Sequence, residues 1–274
     1  MLSIITPVFN SERFIADCIE GVIAQRCPDV EHILMDGGST DRTVEIIQHY
    51  ADRYPHLRWR SEPDRGQSDA MNKGIAMAQG TVMGLLNVDD SYEPNVLNQI
   101  VDRVQTLPEP TLLVGNCNIW DDAGNLLEVN KPSKLSLYNL VTGINVNPYP
   151  CNPAAYFYHT SLHQKVGFYD LNDHYSMDLE FLLRAVQVAN VVYVDQVWGN
   201  YRRLEGTKTV DDMKNGQTNQ RVMQLLKRYR NDLSPLQQRQ LALRDRWATA
   251  AYFLQKPQAF PHAVKAKLFK PSLN

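Results

Sequence analysis

The chain predicts an α/β fold, a mainly parallel sheet with helices on both faces, and three observations carry that prediction. Strand-like and helix-like hydrophobic patterns alternate four times within the first hundred residues, as successive β-α units do. The 274 residues, 43% of them hydrophobic, suffice for one large α/β domain or two small ones. No repeat, low-complexity tract or linker interrupts them, so one domain over residues 1–214 with a helical extension over 215–274 is the simplest organisation.

The elements follow in order. LSIITPVF (2–9) is β-rich, and Phe14, Ile15, Cys18, Ile19, Val22 and Ile23 then recur at helical spacing, with Asn10 or Ser11 as N-cap. EHILMD (31–36) reads as a second strand, followed by a helix with Val44, Ile47, Ala51 and Tyr54 on one face. LRWRSE (57–62) is a third strand, and DAMNKGIAMAQG (69–80) a helix ended by Gly80. TVMGLLNV (81–88) is a fourth strand, after which Pro94 opens a helix carrying Val96, Leu97, Ile100, Val101 and Val104. Farther on, TLLVGNCNIW (111–120), AAYFYH (154–159) and NVVYVDQVW (190–198) read as strands, with a turn at DDAGN (121–125) and a helix from about Asp178. Residues 130–150 are rich in Asn and Pro and read as a loop.

Charge and composition exclude several classes. A net charge of −2 leaves no basic footprint for general nucleic-acid binding. Cys18, Cys27, Cys117 and Cys151 lie far apart without a CxxC or Cys/His cluster, as incidental thiols in a reducing compartment do. The opening MLSIITPVFN has no basic n-region, and its apolar stretch holds Pro7. No run approaches the ~20 apolar residues that span a bilayer, so a cytoplasmic location is expected. From Arg246 onward the chain has no acid but carries Lys256, Lys265, Lys267 and Lys270, with Trp247, Tyr252, Phe253, Phe260 and Phe269 interleaved. Such a tail suits the surface of an anionic membrane. The plainer alternative is a helix packed on the domain and a solvated tail.

Parallel strands point one way, so the loops after them gather at one edge, where such sheets bind ligands. The loops NSER (10–13), DGGSTD (36–41), EPDRGQSD (62–69) and VDDS (88–91) would bring together Asp36, Asp41, Asp64, Asp69, Asp89 and Asp90. Carboxylates so gathered call for cations or sugar hydroxyls. Asp89 and Asp90 stand side by side at a strand end with no Lys or Arg within several positions. One could bind Mg²⁺ or Mn²⁺, which often take one or two carboxylates and complete their shell with water and diphosphate oxygens. The competing role is capping of the next helix. In DGGSTDRT (36–43), Gly37 and Gly38 allow close backbone approach by a ligand, and Ser39, Thr40 or Asp41 can cap a helix. Asp178 opens a helix among apolar neighbours, where a general base could be held or an N-cap could sit. Glu180 and Arg184 have ordinary surface ion-pair spacing.

Taken together, SIITPVFNSERFIADCIEGVIAQ, ILMDGGSTDRT, EPDRGQSDAMNKGIAMAQGTVMGLLNVDD and VGFYDLNDHYSMDLEFLLRA resemble an inverting family 2 glycosyltransferase of GT-A fold. The likeness covers residues 2 to about 210 and is similar to transferases that build bacterial polysaccharides. It implies a nucleotide-sugar half over about 1–120 and an acceptor half over about 121–214. Pro7, Phe9 and Glu12 would line the nucleotide pocket, with Asp36 near the base and Asp69 by the ribose or donor sugar. Asp89 would reach the ribose or the metal, Asp90 the metal, and Asp178 would be the catalytic base. The cofactor implied is Mn²⁺ or Mg²⁺. The partners implied are a nucleotide diphosphate sugar and a hydroxyl acceptor, saccharide or lipid-linked saccharide.

Two positions depart from the family pattern. Some relatives carry Asp, used to hold the base, where Gly37 stands. Many read Tyr-Arg-x-His where this chain has YRRLEGTKT (201–209), with Leu204 in the His position. Arg202, Arg203 or Lys208 could meet the diphosphate instead, the alternative being a solvated basic loop. Residues 130–152 and Trp198 are expected to border the acceptor. A sugar-nucleotide nucleotidyltransferase is the rival enzyme, but PVFNSERF lacks the Gly-rich loop it would need. A noncatalytic sugar- or nucleotide-binding module is the rival of another class. Donor sugar and acceptor identity are not legible.

Overall fold

The structure, a computed structural model, describes residues 1–143, 148–173, 175–207, 210 and 217–255. It divides into two compact units, Met1–Arg228 and Tyr229–Asn274. The first half of the chain holds β1 (Leu2–Val8), α1 (Ile15–Ile23), β2 (Val30–Asp36), α2 (Thr43–Ala51), β3 (Leu57–Ser61) and α3 (Gln67–Met77). Then come β4 (Val82–Leu85), β5 (Ser91–Tyr92), α4 (Val96–Val104), β6 (Thr111–Trp120) and β7 (Leu126–Asn130). The rest of the first unit has α5 (Leu137–Val141), β8 (Tyr156–His159), α6 (Leu162–Val166), α7 (Met177–Ala185), β9 (Asn190–Arg202) and α8 (Gln217–Tyr229).

These strands form one sheet in the order β3-β2-β1-β4-β8-β6-β9-β5, with β7 hairpinned onto β6. β1 to β4 are parallel neighbours, as the β-α alternation predicts, and β6 and β9 are also parallel. β8 runs antiparallel between β4 and β6. That inserted strand carries the segment before it, residues 152–155, to the end of β4.

Register levels the strand ends. Val8 pairs with Asp36 and Asp36 with Ser61, so the loops after β1, β2 and β3 start side by side. Asn10 and Ser11 are consequently not caps of α1, whose N-cap Phe14 makes no side-chain bond. Asn10 Oδ1 accepts from Thr40 N at 2.9 Å and Ser11 N donates to Thr43 Oγ1 at 2.7 Å, stitching the first loop to the second. β4 ends at Leu85 rather than at residue 88, because its pairing with β1 stops at Ile5–Leu85. β9 runs past residue 198 to Arg202, drawn out by pairing with Trp120 at the end of β6.

Apolar side chains of alternating strand positions feed buried clusters on both faces of the sheet, among them one of Val8, Leu34 and Leu57 with Ile15, Ile19 and Ile47. Ile5, Met35, Met83, Tyr156 and Tyr158 pack with Met71 of α3 and Phe181 of α7 on one side. Ile4, Phe157 and Trp198 pack with Cys18 of α1 and Leu97 of α4 on the other. Trp198 is fully buried and stacks edge-on against Phe157, so it does not border an acceptor. The four cysteines are free, and only Cys151 is not buried.

Glu180 and Arg184 also depart from expectation. Glu180 is buried, and Arg184 joins it at 2.7 Å while donating to Phe168 O at 3.0 Å. The pair closes the turn between α6 and α7 rather than decorating a surface.

The second unit holds a 3-10 turn, Arg230–Asp232, and α9 (Pro235–Gln255), tied by an Arg230–Asp245 ion pair at 2.8 Å. Among the described residues, no helix is long and apolar enough to cross a membrane. The expected basic residues Lys256, Lys265, Lys267 and Lys270 lie outside the described residues, as does Lys208.

Gly115 shows how closely the core around Trp198 is filled. A Cβ there would come within 2.4 Å of the Trp198 ring, which has no room to retreat. Gly115→Ala should therefore lower the stability measured by urea unfolding by about 1–3 kcal/mol, the usual cost of overpacking.

Candidate functional site

A cleft of about 500 Å³ opens at the level strand ends. Its walls come from the β1 end (Pro7, Val8, Phe9), the loop after β2 (Gly37), the α3 entry (Asp64, Gly66, Gln67), the β4 end (Asn87, Val88, Asp89) and the β9 end (Tyr201, Arg202). Its apolar lining includes Phe9, which is 61% exposed. Its charged lining includes Asp89 and Arg202, whose positive charge favours the ionised Asp89 carboxylate against the upward push of burial.

Pro7, Phe9, Asp89 and Arg202 thus line one cavity. The other predicted residues are not part of its lining, and their hydrogen bonds show what each holds. Asp36 is buried; its Oδ2 accepts from Gly38 N at 3.1 Å, Ser39 N at 3.0 Å and Ser61 Oγ at 2.6 Å, and Ser39 Oγ bonds its Oδ1. Asp36 shapes the turn that brings Gly37 to the cleft wall. Glu12 accepts from Arg42 N at 3.1 Å and donates its own N–H to Asp41. Asp69 accepts from Arg65 N at 3.1 Å and pairs with Lys73 at 3.5 Å.

Asp89 and Asp90 point to different environments. Asp90 is buried, and its Oδ2 accepts from Asn152 Nδ2 at 2.7 Å and Asn87 Nδ2 at 2.9 Å, while Oδ1 accepts from Arg202 N at 3.3 Å. Burial, and then the charge of Asp89, still push its pKa up to about 7. Gln67 Nε2 donates to Asn87 Oδ1 at 3.0 Å, extending this chain of amides to α3. Neither Asn87 nor Asn152 was found from the sequence, where isolated asparagines in loops carry no pattern.

The donor set decides what kind of metal fits. Among the described residues, no group of three or more His, Cys, Asp and Glu is arranged to hold an ion. Asp89 at the cleft, with the neighbouring Asp90, fits instead a hard cation that takes one or two carboxylates and the rest of its oxygens from water and substrate. Mg²⁺ and Mn²⁺ are of that kind.

Asp178 sits in the first turn of α7. It is not the N-cap, which is Ser176 without a side-chain bond; Asp173 Oδ1 shapes the turn before the helix, accepting from Ser176 N at 2.9 Å and Tyr175 N at 3.0 Å. Asp178 Oδ1 instead accepts from Tyr156 Oη at 3.4 Å, and burial raises its pKa to about 6. The α7 entry abuts the α3 entry, since Ser68, next to the cleft residue Gln67, donates to Asp173 O at 2.8 Å. Tyr156 lies four residues after Asn152, so one short segment touches both Asp90 and Asp178. Of the cations proposed for a diphosphate, Arg202 lines the cleft, whereas Arg203 has its Nε buried and lines a separate cavity. Leu204 is buried.

The comparisons name the family. The model described as glycosyl transferase family 2 matches residues 3–151, more than half of the chain. The chain is 34% identical over 195 residues to an uncharacterized glycosyltransferase of Mycobacterium tuberculosis, covering 70% of this chain and 71% of that one. It is 30% identical over 219 residues to the PGL/p-HBAD biosynthesis glycosyltransferase of Mycobacterium bovis, covering 75% and 78%. Chondroitin synthase of Escherichia coli is 31% identical over 128 residues, 46% of this chain and 18% of the synthase. The fold is that of S. aureus TarS 1–349, with a TM-score of 0.66 at 18% identity, covering 88% of this chain and 68% of TarS. The chain belongs to glycosyltransferase family 2, with the GT-A fold.

The raised pKa of Asp178 has a thermodynamic consequence. An acid titrating near 6 when folded and near ~3.9 when unfolded keeps a proton that unfolding would release. Its contribution therefore weakens the fold as pH rises from about 4 to about 6 and stays unfavourable above. Asp178→Asn keeps the acceptor for Tyr156 and removes that cost. Urea melts should show the variant more stable than the parent at pH 8, by on the order of 1–3 kcal/mol, and no different below about pH 4.

Proposed function

We propose that the cleft binds a nucleotide diphosphate sugar and that the chain transfers its sugar, with inversion, to a hydroxyl of a saccharide or lipid-linked saccharide acceptor. The observation that carries this reading is one cleft lined both by an exposed aromatic residue, Phe9, and by the charged Asp89 and Arg202, with desolvated Asp178 on the adjoining helix. The fold likeness to S. aureus TarS in complex with UDP-GlcNAc, TM-score 0.67, supports a sugar-nucleotide donor. The likeness to chondroitin synthase supports a polysaccharide or glycoconjugate product.

Each residue then has a part. Pro7 and Phe9 take the nucleoside, with Glu12 and Asp36 bracing the loops around it. Asp69 fixes the α3 entry beside the ribose and donor sugar through Arg65 N and Lys73. Arg202 meets the diphosphate. Asp89 holds the Mn²⁺ or Mg²⁺ with Asp90 behind it, and when bound that ion supplies positive charge against the diphosphate. Asp178 takes the proton of the acceptor hydroxyl, whose oxygen attacks the anomeric carbon from the face opposite the diphosphate. A single displacement inverts the configuration.

The pKa of Asp178 suits a base at neutral pH, since it is ionised above about 6 yet more basic than an exposed aspartate. The protonated acid cannot accept, so the transfer rate should fall about tenfold per pH unit below about 6. Asp178→Asn should retain calorimetric binding of the donor nucleotide with Mn²⁺ and lose at least ~10²-fold in acceptor-dependent release of nucleoside diphosphate. EDTA should stop turnover of the parent, and Mn²⁺ restore it. Parental turnover by the variant would move the base elsewhere.

A peripheral contact with the inner face of an anionic membrane, in the cytoplasm, is part of the same proposal. On α9, Trp247 is 75% and Leu254 81% exposed. The last acid of the chain, Asp245, is already paired with Arg230. An apolar helix end followed by basic sequence favours an anionic interface. The protein should co-sediment with vesicles containing anionic lipid and not with purely zwitterionic ones, and Trp247→Glu should weaken that binding.

A further inference from the structure

The loop after β3 brings a carboxylate to the part of the cleft wall where Gly37 offers no side chain. A Cβ on Gly37 would lie 2.5 Å from Asp64 Oδ2, 3.0 Å from its Cγ and 3.2 Å from its Oδ1. The Asp64 carboxylate therefore occupies the space that a side chain at position 37 would fill. The two residues are complementary: Asp64 in this pose requires glycine at 37, and glycine at 37 leaves room for Asp64.

The pose is fixed from one side only. Asp64 Oδ1 accepts from Gly66 N at 2.8 Å, which sets the rotamer and leaves Oδ2 toward Gly37 and the cleft wall. The nearby cations are committed elsewhere: Arg65 and Lys73 pair with Asp69, and Lys73 also with Glu62 and the carbonyl of Pro63. Pro7, Val8 and the exposed Phe9 ring line the same cavity. Gly37 N bonds Val8 O at 2.9 Å, so an apolar surface and one strong acceptor stand on neighbouring parts of the wall, the two contacts by which a base is held and read.

We propose that Asp64 is the residue that selects the nucleobase of the donor, its Oδ2 accepting the ring N–H of uracil, thymine or guanine. This rests on reading the cleft as the nucleotide-sugar site. An ionised carboxylate accepts and does not donate. Uracil and thymine present N3–H and guanine presents N1–H, whereas cytosine N3 and adenine N1 are themselves acceptors. A cytosine or adenine held in the same pose sets a ring lone pair against Asp64, which loses its own solvation without return, and this is how a polar site rejects a near-isostere.

The test is calorimetric titration of the full chain with UDP, dTDP, GDP, CDP and ADP, each with Mn²⁺. The parent should bind at least one of the first three, with CDP and ADP at least about tenfold weaker than the preferred nucleotide. Asp64→Asn should weaken the preferred nucleotide about tenfold and leave CDP unchanged or tighter, because an amide can turn either a donor or an acceptor to the base. Retained CDP binding shows that the variant is folded. Gly37→Asp combined with Asp64→Ala, which clears the space beside position 37 and carries the carboxylate across to it, should recover the preference. An Asp64→Asn protein with parental discrimination, or a parent binding CDP or ADP as tightly as the rest, overturns the assignment of Asp64 alone. Binding of none of the five overturns the nucleotide reading of the cleft and this inference with it.

Discussion

One buried carboxylate organises the site. Asp90 is 4% exposed, and a charge so placed persists only with donors around it. Those donors come from three separate parts of the chain: Asn87 after β4, Asn152 before β8 and the Arg202 backbone at the end of β9. Satisfying one acid therefore draws three strand ends together, and the cleft lies among them. With Asp90 turned inward, the neighbouring Asp89 is the carboxylate that lines the cleft beside Arg202.

The antiparallel strand β8 makes this possible. Inserted between β4 and β6, it carries a short segment whose first residue, Asn152, holds Asp90 and whose Tyr156 donates to Asp178. The carboxylate next to the cleft residue Asp89 and the carboxylate of α7 are thus positioned by one stretch of backbone. Both acids are desolvated, to about 7 for Asp90 and about 6 for Asp178, so each ionises at the expense of the fold. Stability has been given up where polar chemistry is concentrated, as functional sites commonly require.

A shared scaffold with variable loops explains how this chain resembles relatives of different named products while departing from them at single positions. Strand register fixes where the loops begin, and loop side chains settle what they recognise. Leu204 illustrates one departure: it is buried, while Arg202 lines the cleft. Gly37 illustrates another, because its missing side chain is matched by Asp64 across the gap.

The alternation of strand and helix in residues 1–104 was legible because each element buries a periodic apolar face, and the parallel β1 to β4 follow from it. Family membership was legible too, since the order of the motif blocks is a property of the chain alone. Element ends were less so: β4 stops and β9 extends according to their partners' length. The placing of Trp198 at an acceptor failed because its burial comes from Gly115 and Phe157, far apart in sequence. The sequence by itself determined which acids gather at one edge of the sheet. Only the tertiary structure decided which way each one points, because two of the three partners that turn Asp90 inward stand 62 and 112 residues away, beyond the reach of any local pattern.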